Sequence, residues 1–303
     1  MLDDRYLASG LAALARVRRR HWNAGHYGAA VLAAYFFAEE QGLDAPASAA
    51  LAAQLDRLIA RHPELFAPPP DRSGGGEVAA VAAALRRTIG GLHAIGHNVI
   101  FATLALKACA RRPELATPDH VAGLVALLDQ FDGCGPGRPF YGWDDPASVR
   151  LEAADAIPRY DGEAAIARTA LAAFAGIEAV HPFLHQGIVG HLLTHAHALI
   201  DLARIGHAEL ATRGHDAHRL YVKLARNPPD AGEPIPRRAA IAAFAPRAAA
   251  FWRRDHEGGR EWLVGHLFKY VYSFYDLLRH VDDPGERRAL EAHLAYVLAP
   301  AQA

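Results

Sequence analysis

The hydrophobic and polar residues along this chain follow the period of an α-helix. Apolar residues recur at three- and four-residue spacing through long Ala- and Leu-rich stretches, and no segment shows a sustained alternation of β-branched and polar residues. The pattern predicts an all-α fold. Helices are expected over residues 4–20, 25–41, 46–61, 76–111, 118–131, 162–179, 182–205, 208–226, 238–255, 259–281 and 284–298.

Segments rich in proline and glycine separate these helices. They comprise residues 68–76, 133–146 and 227–236, and none has the length of a low-complexity linker. No repeat of fixed period is present, which argues against a solenoid of identical units. Because an all-helical chain of this size can form one core, we expect residues 1–303 to be a single compact multi-helix domain with a histidine-lined central pocket.

Composition and charge argue against several classes of protein. Of the 303 residues, 51% are hydrophobic and 21% are charged, and the formal net charge is -1, which leaves no basic excess for nucleic acid. Two cysteines, Cys109 and Cys134, cannot build a disulfide framework, and neither a signal peptide nor a membrane span is visible. We therefore expect a cytoplasmic protein that binds neither nucleic acid nor membrane. Whether it forms a homodimer stays open.

Histidine is abundant, with 18 residues in the chain. Chance would give about one histidine pair at spacing i, i+4, which places both side chains on one helix face. The sequence contains three such pairs: His93/His97, His181/His185 and His191/His195. Two imidazoles one turn apart can bind one transition-metal ion, whereas the alternative is a set of core or surface histidines satisfied by hydrogen bonds. Three pairs in apolar helices favour a metal site.

The densest histidine stretch covers residues 178–200. His181 and His185 lie there one turn apart, and Pro182 between them favours a helix start or a kink. They are the first candidates for metal ligands. Glu178, one turn before His181, is a candidate for orienting that imidazole, with a solvated carboxylate as the alternative.

Other candidate ligands lie on separate helices. His26, His266 and His293 are in mostly apolar stretches, where an imidazole must be hydrogen-bonded or ligated; His93 and His97 form a reserve pair. Lys223 is one of only three lysines. Such a lysine is a base, an oxygen ligand once carboxylated, or a side chain whose ammonium group reaches solvent.

The tripeptide His181-Pro182-Phe183 resembles the start of the Fic-domain AMP-transferase motif. The residues that follow, 184–189, lack that motif's acidic residue, its glycine-rich anion-binding stretch and its arginine. Nucleotide transfer is therefore the least favoured interpretation.

Residues 181–187 read H-P-F-L-H-Q-G, with Gly25-His26 before them in the chain and Gly265-His266 after them. This set is similar to the questin oxidase-like family, whose H-P-x-x-H-x-G stretch and glycine–histidine pairs occur in the same order, and the resemblance is better than that to the Fic motif. The resemblance implies a helical oxygenase that cleaves anthraquinone-type rings with a non-haem iron held by several histidines and a carboxylated lysine. This chain is shorter, and either Lys223 or His293 is expected in the place of that lysine.

We therefore expect a metal-dependent oxygenase. Its cofactor is expected to be Fe(II), with Zn(II) as the alternative, and its substrates O2 and a small apolar aromatic molecule. Two other classes remain open: a zinc-dependent hydrolase that uses the same histidines, and a non-catalytic helical binding protein. The metal content of the purified protein would separate the three.

Overall fold

The computed structural model describes residues 2–67, 75–137, 145–178, 184–226, 244–254, 256 and 265–298. Within these ranges the regular structure is helical and no strand occurs, which confirms the predicted all-α fold. No helix in the described part is both long enough and apolar enough to cross a membrane.

The described α-helices follow one another with short connections. They are Arg5–Arg16 (α1), Gly25–Glu40 (α2), Ala45–Arg61 (α3), Pro63–Phe66 (α4), Ala79–Thr88 (α5), His97–Arg111 (α6), Pro118–Asp129 (α7), Glu163–Ala175 (α8), Leu184–Arg204 (α9), Ala208–Arg213 (α10), His215–Ala225 (α11), Ala249–Trp252 (α12), His266–Leu277 (α13) and Pro284–Leu298 (α14).

Local sequence signals explain where several helices begin. The Asp44 carboxylate accepts a hydrogen bond from the Ala47 backbone N–H at 2.7 Å and so caps α3. The Thr117 hydroxyl caps α7 in the same way. Helix α14 begins at Pro284, whose missing N–H costs nothing in a first turn. The predicted starts near Asp44 and at Pro284 are thus confirmed.

The prediction of one helix over residues 76–111 is wrong. Helix α5 ends at Thr88 and α6 begins only at His97. Gly90 and Gly91 follow α5, and Ala94, Ile95 and Gly96 then adopt positive φ angles of 44°, 52° and 88°. Backbone in this left-handed region cannot continue a right-handed helix. The predicted helix over 208–226 is likewise divided, at Gly214, into α10 and α11.

The predicted helices over 238–255 and 259–281 fall partly outside the described residues. Their described parts are α12 and α13. The contacts divide the chain into two compact units, the first made of Met1–Leu85, Phe101–Asp132 and Ala243–Tyr272 and the second of Arg86–Ile100, Gly133–Ala242 and Ser273–Ala303. The expected single domain over residues 1–303 stays a prediction.

In the first unit, α1 and α2 pack closely. Leu7, Leu11 and Leu14 of α1 are fully buried. A Cβ atom added to Gly28 of α2 would lie 2.7 Å from the Gly10 carbonyl oxygen, so the contact requires a residue without a side chain. This close packing fixes the N-terminal half of α2.

In the second unit, α9 and α11 share an apolar cluster with the segment before α6. The cluster includes Leu92, Ile95, Ile157, Ile188, Leu192, Tyr221, Val222 and Leu224. Polar contacts also join α9 to the C-terminal half of α13: the His197 Nδ1 atom lies 3.1 Å from the Ser273 hydroxyl, and Arg204 pairs with the buried Asp276 at 2.8 Å. These contacts fix the orientation of α9.

Candidate metal centre

Two histidines lie at the N-terminal ends of α2 and α13. His26 is the second residue of α2 and His266 is the first residue of α13, and their ring centroids are 4.7 Å apart. The Phe101 ring packs against His26 at 5.5 Å, and Tyr270 stacks on His266 at 5.1 Å. These aromatic rings restrict the access of water to both imidazoles.

A second pair is formed by α6 and α9. His97 is the first residue of α6, and its ring centroid lies 4.3 Å from that of His191, in the middle of α9. Both side chains are 2% exposed, the same fraction as His26. Imidazoles are seldom buried together without a shared partner or a network of hydrogen bonds.

The four side chains form one group. One potential ligand atom from each of His26, His97, His191 and His266 lies within 4.8 Å of the other three. Three of these histidines are buried and His266 is half-buried. We refer to them below as the four-histidine group.

Backbone carbonyls hold three of these imidazoles in a defined orientation. The Nδ1–H of His26 donates to the Asn23 carbonyl at 2.9 Å, that of His191 to the Gly187 carbonyl at 2.7 Å, and that of His97 to the Ala94 carbonyl. A carbonyl oxygen only accepts, so Nδ1 carries the proton and Nε2 keeps its lone pair. This is the arrangement that metal-binding histidines commonly show.

The donor set and its spacing fit a transition-metal ion. Neutral imidazole is a good ligand for Fe, Zn, Cu and Ni, and the group contains no thiolate or carboxylate. Metal–nitrogen bonds of about 2.1 Å require ligand nitrogens about 3 to 4 Å apart, which small side-chain movements can reach from the observed spacing. The four-histidine group could therefore hold a metal ion.

The structure brings some of the predicted ligands together. His26 and His266 belong to the four-histidine group, as does His97 of the reserve pair. His93 lies outside it, with its ring Nδ1 2.6 Å from the Cys134 carbonyl oxygen. His181 and the side chain of His185 fall outside the described part of the chain.

Three other candidates have different surroundings. The Lys223 ammonium pairs with Asp155 at 3.0 Å and donates to the Arg150 carbonyl at 2.7 Å, as a lysine reaching towards solvent does. The His293 Nε2 atom lies 3.0 Å from the Phe174 carbonyl oxygen, and His293 is not in the four-histidine group. Glu178 is exposed.

His191 belongs to one of the three histidine pairs that favour a metal site, but it is not among the ligand candidates named from the sequence, although its sequence carries a further signal. Each member of the group follows a glycine: Gly25, Gly96, Gly190 and Gly265. Gly96 and Gly265 have φ angles of 88° and 71°, which L side chains rarely adopt, and a Cβ on Gly25 would lie 2.7 Å from the Phe101 ring. Gly-His also occurs at 206–207 and 214–215, so this dipeptide alone does not identify a ligand.

Lys269 is a buried lysine one turn after His266 on α13. It is 2% exposed, and its Nζ atom lies 5.9 Å from the centroid of the Phe101 ring, on which His26 also packs. Nζ has no hydrogen-bond partner among the described residues. Burial lowers the pKa of Lys269 well below its usual range, which favours the neutral amine.

Comparison of the chain with known proteins gives no relative. No family model matches it, and neither the curated proteins nor the solved structures contain a match. The resemblance to the questin oxidase-like family therefore rests on the sequence motifs alone.

Proposed function

We propose that this protein is a metal-dependent oxygenase with Fe(II) held by His26, His97, His191 and His266. The observation that carries the proposal is the four-histidine group, with one nitrogen from each side chain within 4.8 Å of the others. A bound Fe(II) ion would supply the redox chemistry through which O2 reacts with an organic substrate. Iron is chosen over zinc because the motif resemblance implies a non-haem iron enzyme.

The protein's own groups would preorganise this centre. The carbonyls of Asn23 and Gly187 keep Nε2 of His26 and His191 in its basic, proton-free form. Phe101, which is fully buried, covers one side of His26. Such packing excludes water and keeps the imidazoles in one rotamer before the metal binds.

We propose a planar, apolar aromatic molecule as the organic substrate. Trp22 is half-buried, and its ring lies 6.2 Å from His26 in a stacked orientation and 5.4 Å from Phe131. Phe131 is fully buried and supports Trp22 from below, and the exposed part of the Trp22 ring offers the flat apolar contact that a hydroxylated polycyclic aromatic requires. The four-histidine group itself carries no fixed charge that would select a phosphorylated substrate.

We also propose that Lys269, rather than Lys223 or His293, supplies the oxygen ligand that the family resemblance implies. Its neutral amine would attack the carbon of CO2. The new N–C bond forms as one C–O π bond of CO2 breaks and its electron pair moves to oxygen, and the nitrogen releases one proton to water, which leaves a carbamate anion. Burial favours the neutral, nucleophilic amine that this step needs. Lys223 is paired with Asp155 and lacks this environment.

Metal content and oxygen consumption test the proposal. Replacing His97 or His191 by Ala should weaken metal binding at least about tenfold, because each substitution removes a ligand. The matched control is His120→Ala: His120 is 5% exposed and its Nδ1 also bonds a backbone carbonyl, that of Leu115, but it is not in the group. This control should retain its metal.

The Fe(II)-loaded protein should then consume O2 with hydroxylated polycyclic aromatics such as anthraquinones or anthrones, and the His97→Ala variant should not. The oxygenase proposal would be wrong if the protein bound Zn(II) tightly, hydrolysed esters or amides, and consumed no O2 with any compound of this panel. The zinc-dependent hydrolase would then take its place. A protein that binds no metal would be a binding module.

The role of Lys269 has its own measurement. Protein prepared with ¹³C-bicarbonate should show one carbamate carbon in its NMR spectrum, and Lys269→Ala should lose that signal and bind Fe(II) about tenfold more weakly. Lys223→Ala, the control, should keep both properties. A carbamate signal that survives Lys269→Ala would contradict the assignment.

A further inference from the structure

A strained turn lies immediately before His97. Ala94, Ile95 and Gly96 have consecutive φ angles of 44°, 52° and 88°. Only the glycine adopts this left-handed region without steric cost, and a β-branched isoleucine is especially unfavourable there. Conformations of this kind persist only where surrounding contacts enforce them, and they concentrate at functional sites.

Contacts with residues 134–136 enforce this turn. The backbone N–H of Ala94 donates to the Gly135 carbonyl at 2.8 Å, and that of Ile95 donates to the Pro136 carbonyl at 2.6 Å. The Ile95 side chain is buried in the apolar cluster of the second unit. Backbone bonds on one side and a buried side chain on the other thus hold the turn in place.

His93 adds a side-chain contact at the start of the turn. Its Nδ1–H donates to the Cys134 carbonyl at 2.6 Å, and its ring lies so close to Gly91 that an added Cβ there would be 2.9 Å from Nε2. At the other end of the turn, a Cβ on Gly96 would lie 2.9 Å from the His195 ring. The turn is therefore confined at both ends.

The turn places one carbonyl group beside the imidazole of His97. The Ala94 carbonyl accepts from the backbone N–H of His97 and also from the Nδ1–H of the same residue. A carbonyl oxygen only accepts, so the second bond selects the neutral tautomer of His97 in which Nδ1 carries the proton and Nε2 does not.

We propose that His93 is a positioning residue, which ties the turn to the Cys134 carbonyl and thereby keeps the Ala94 carbonyl on Nδ1 of His97. His97 is then presented to a metal ion through Nε2 in a fixed orientation. This inference rests on the proposed metal centre and deepens it, because it gives the two histidines different roles. His97 binds the metal ion, and His93 positions His97.

The test compares His93→Leu with His93→Asn. Leucine fills space but cannot donate a hydrogen bond, whereas the asparagine amide N–H occupies nearly the place of Nδ1–H. In metal-free protein labelled with ¹⁵N-histidine, His97 should show one Nδ1–H tautomer in the wild type and in His93→Asn, and a mixture in His93→Leu. The His97 signal is assigned by its loss in His97→Gln.

Co(II) binding supplies the second measurement. His93→Leu should raise the dissociation constant for Co(II) about tenfold and change the visible spectrum of the bound ion, and His93→Asn should restore both. Circular dichroism checks that each variant remains helical.

A second pair of variants keeps the test decisive if His93→Leu does not fold. Gly96→Ala should disturb the turn through its positive φ and the His195 ring. Gly206→Ala introduces a similar φ strain at 93°, where no atom of the described residues lies within 4 Å of the new Cβ. Gly96→Ala should mix the His97 tautomers and weaken Co(II) binding, and Gly206→Ala should do neither.

Unchanged His97 tautomer in His93→Leu, or unchanged Co(II) affinity despite a mixed tautomer, would overturn the proposal. If the wild type bound no Co(II) at all, the metal centre itself would fail. The tautomer measured without metal would still decide whether His93 positions His97.

Discussion

Burial favours the neutral form of two histidines in this protein, His195 and His218. His218 is fully buried between the Tyr160 hydroxyl, 2.7 Å from its Nδ1, and the Leu192 carbonyl, 3.3 Å from its Nε2. The hydroxyl donates and the carbonyl accepts, so this neighbourhood suits the neutral Nε2–H tautomer. Burial lowers the pKa of His218 to about 4, and burial likewise holds the pKa of His195 well below its usual value.

Acid should therefore destabilise the fold through His218. A histidine in the unfolded chain has a pKa of about 6.5. Between pH 6.5 and 4 the unfolded chain therefore binds a proton that the folded chain does not bind, and the free energy of unfolding falls as the pH falls. For His218 the loss from pH 7 to pH 5 is about 2 kcal/mol. In His218→Gln, denaturant unfolding should show a pH dependence flatter by that amount.

The control for this measurement is His207→Gln, since His207 is only partly buried. Its unfolding free energy should follow the wild-type pH dependence. Equal acid sensitivity in His218→Gln and the wild type would mean that His218 is accommodated as a cation in the fold.

At the scale of helices, the sequence predicts the helix bounds that depend on residues close together in the chain. Apolar periodicity and capping residues such as Asp44 act over a few residues, and they locate α1 to α3 within a few positions. The break before His97 escaped prediction because tertiary contacts create it. Nothing local to Ala94 and Ile95 favours positive φ; the carbonyls of residues 135 and 136 and the surrounding core impose it.

Helix packing in the first unit yields a prediction about Gly28. Gly28→Ala should destabilise the protein by about 2 kcal/mol, because the new Cβ would lie 2.7 Å from the Gly10 carbonyl oxygen and force α1 away from α2. Gly187→Ala in α9 is the matched control, since its Cβ would meet no atom of the described part of the chain within 4 Å. It should stabilise the helix by about 0.5 kcal/mol. Thermal unfolding of both variants measures the difference, and equal shifts would refute the steric argument.

At the scale of the whole molecule, the candidate site was only partly predictable. His120 lies on an apolar helix, is buried and has its Nδ1 on a backbone carbonyl, as His191 does, yet it is not in the four-histidine group. The two have similar local environments. What separates them is which helices converge, and that depends on contacts between residues far apart in sequence. The burial of Lys269 likewise depends on contacts between residues far apart in sequence.

If the four-histidine group binds a metal, the ion should stabilise the whole fold, because an ion that binds only the folded state shifts the unfolding equilibrium. A free ion concentration a thousand times the dissociation constant contributes about 4 kcal/mol. With an unfolding entropy of about 2.1 cal/mol/K per residue, that is a rise in melting temperature of roughly 6 °C for a chain of this size. Calorimetry of chelator-treated protein with and without Zn(II) measures it.

Variants test whether the rise in melting temperature comes from a metal ion bound at the four-histidine group. The double variant His97→Ala/His191→Ala should melt at the same temperature with and without Zn(II), since two ligands are gone. His120→Ala also removes a buried, hydrogen-bonded imidazole, so it should melt at a lower temperature in both states and keep the full rise. A rise that persists in the double variant would place the stabilising ion elsewhere. If His120→Ala also lost the rise in melting temperature, the rise would depend on the packing of the fold in general and not on the four-histidine group.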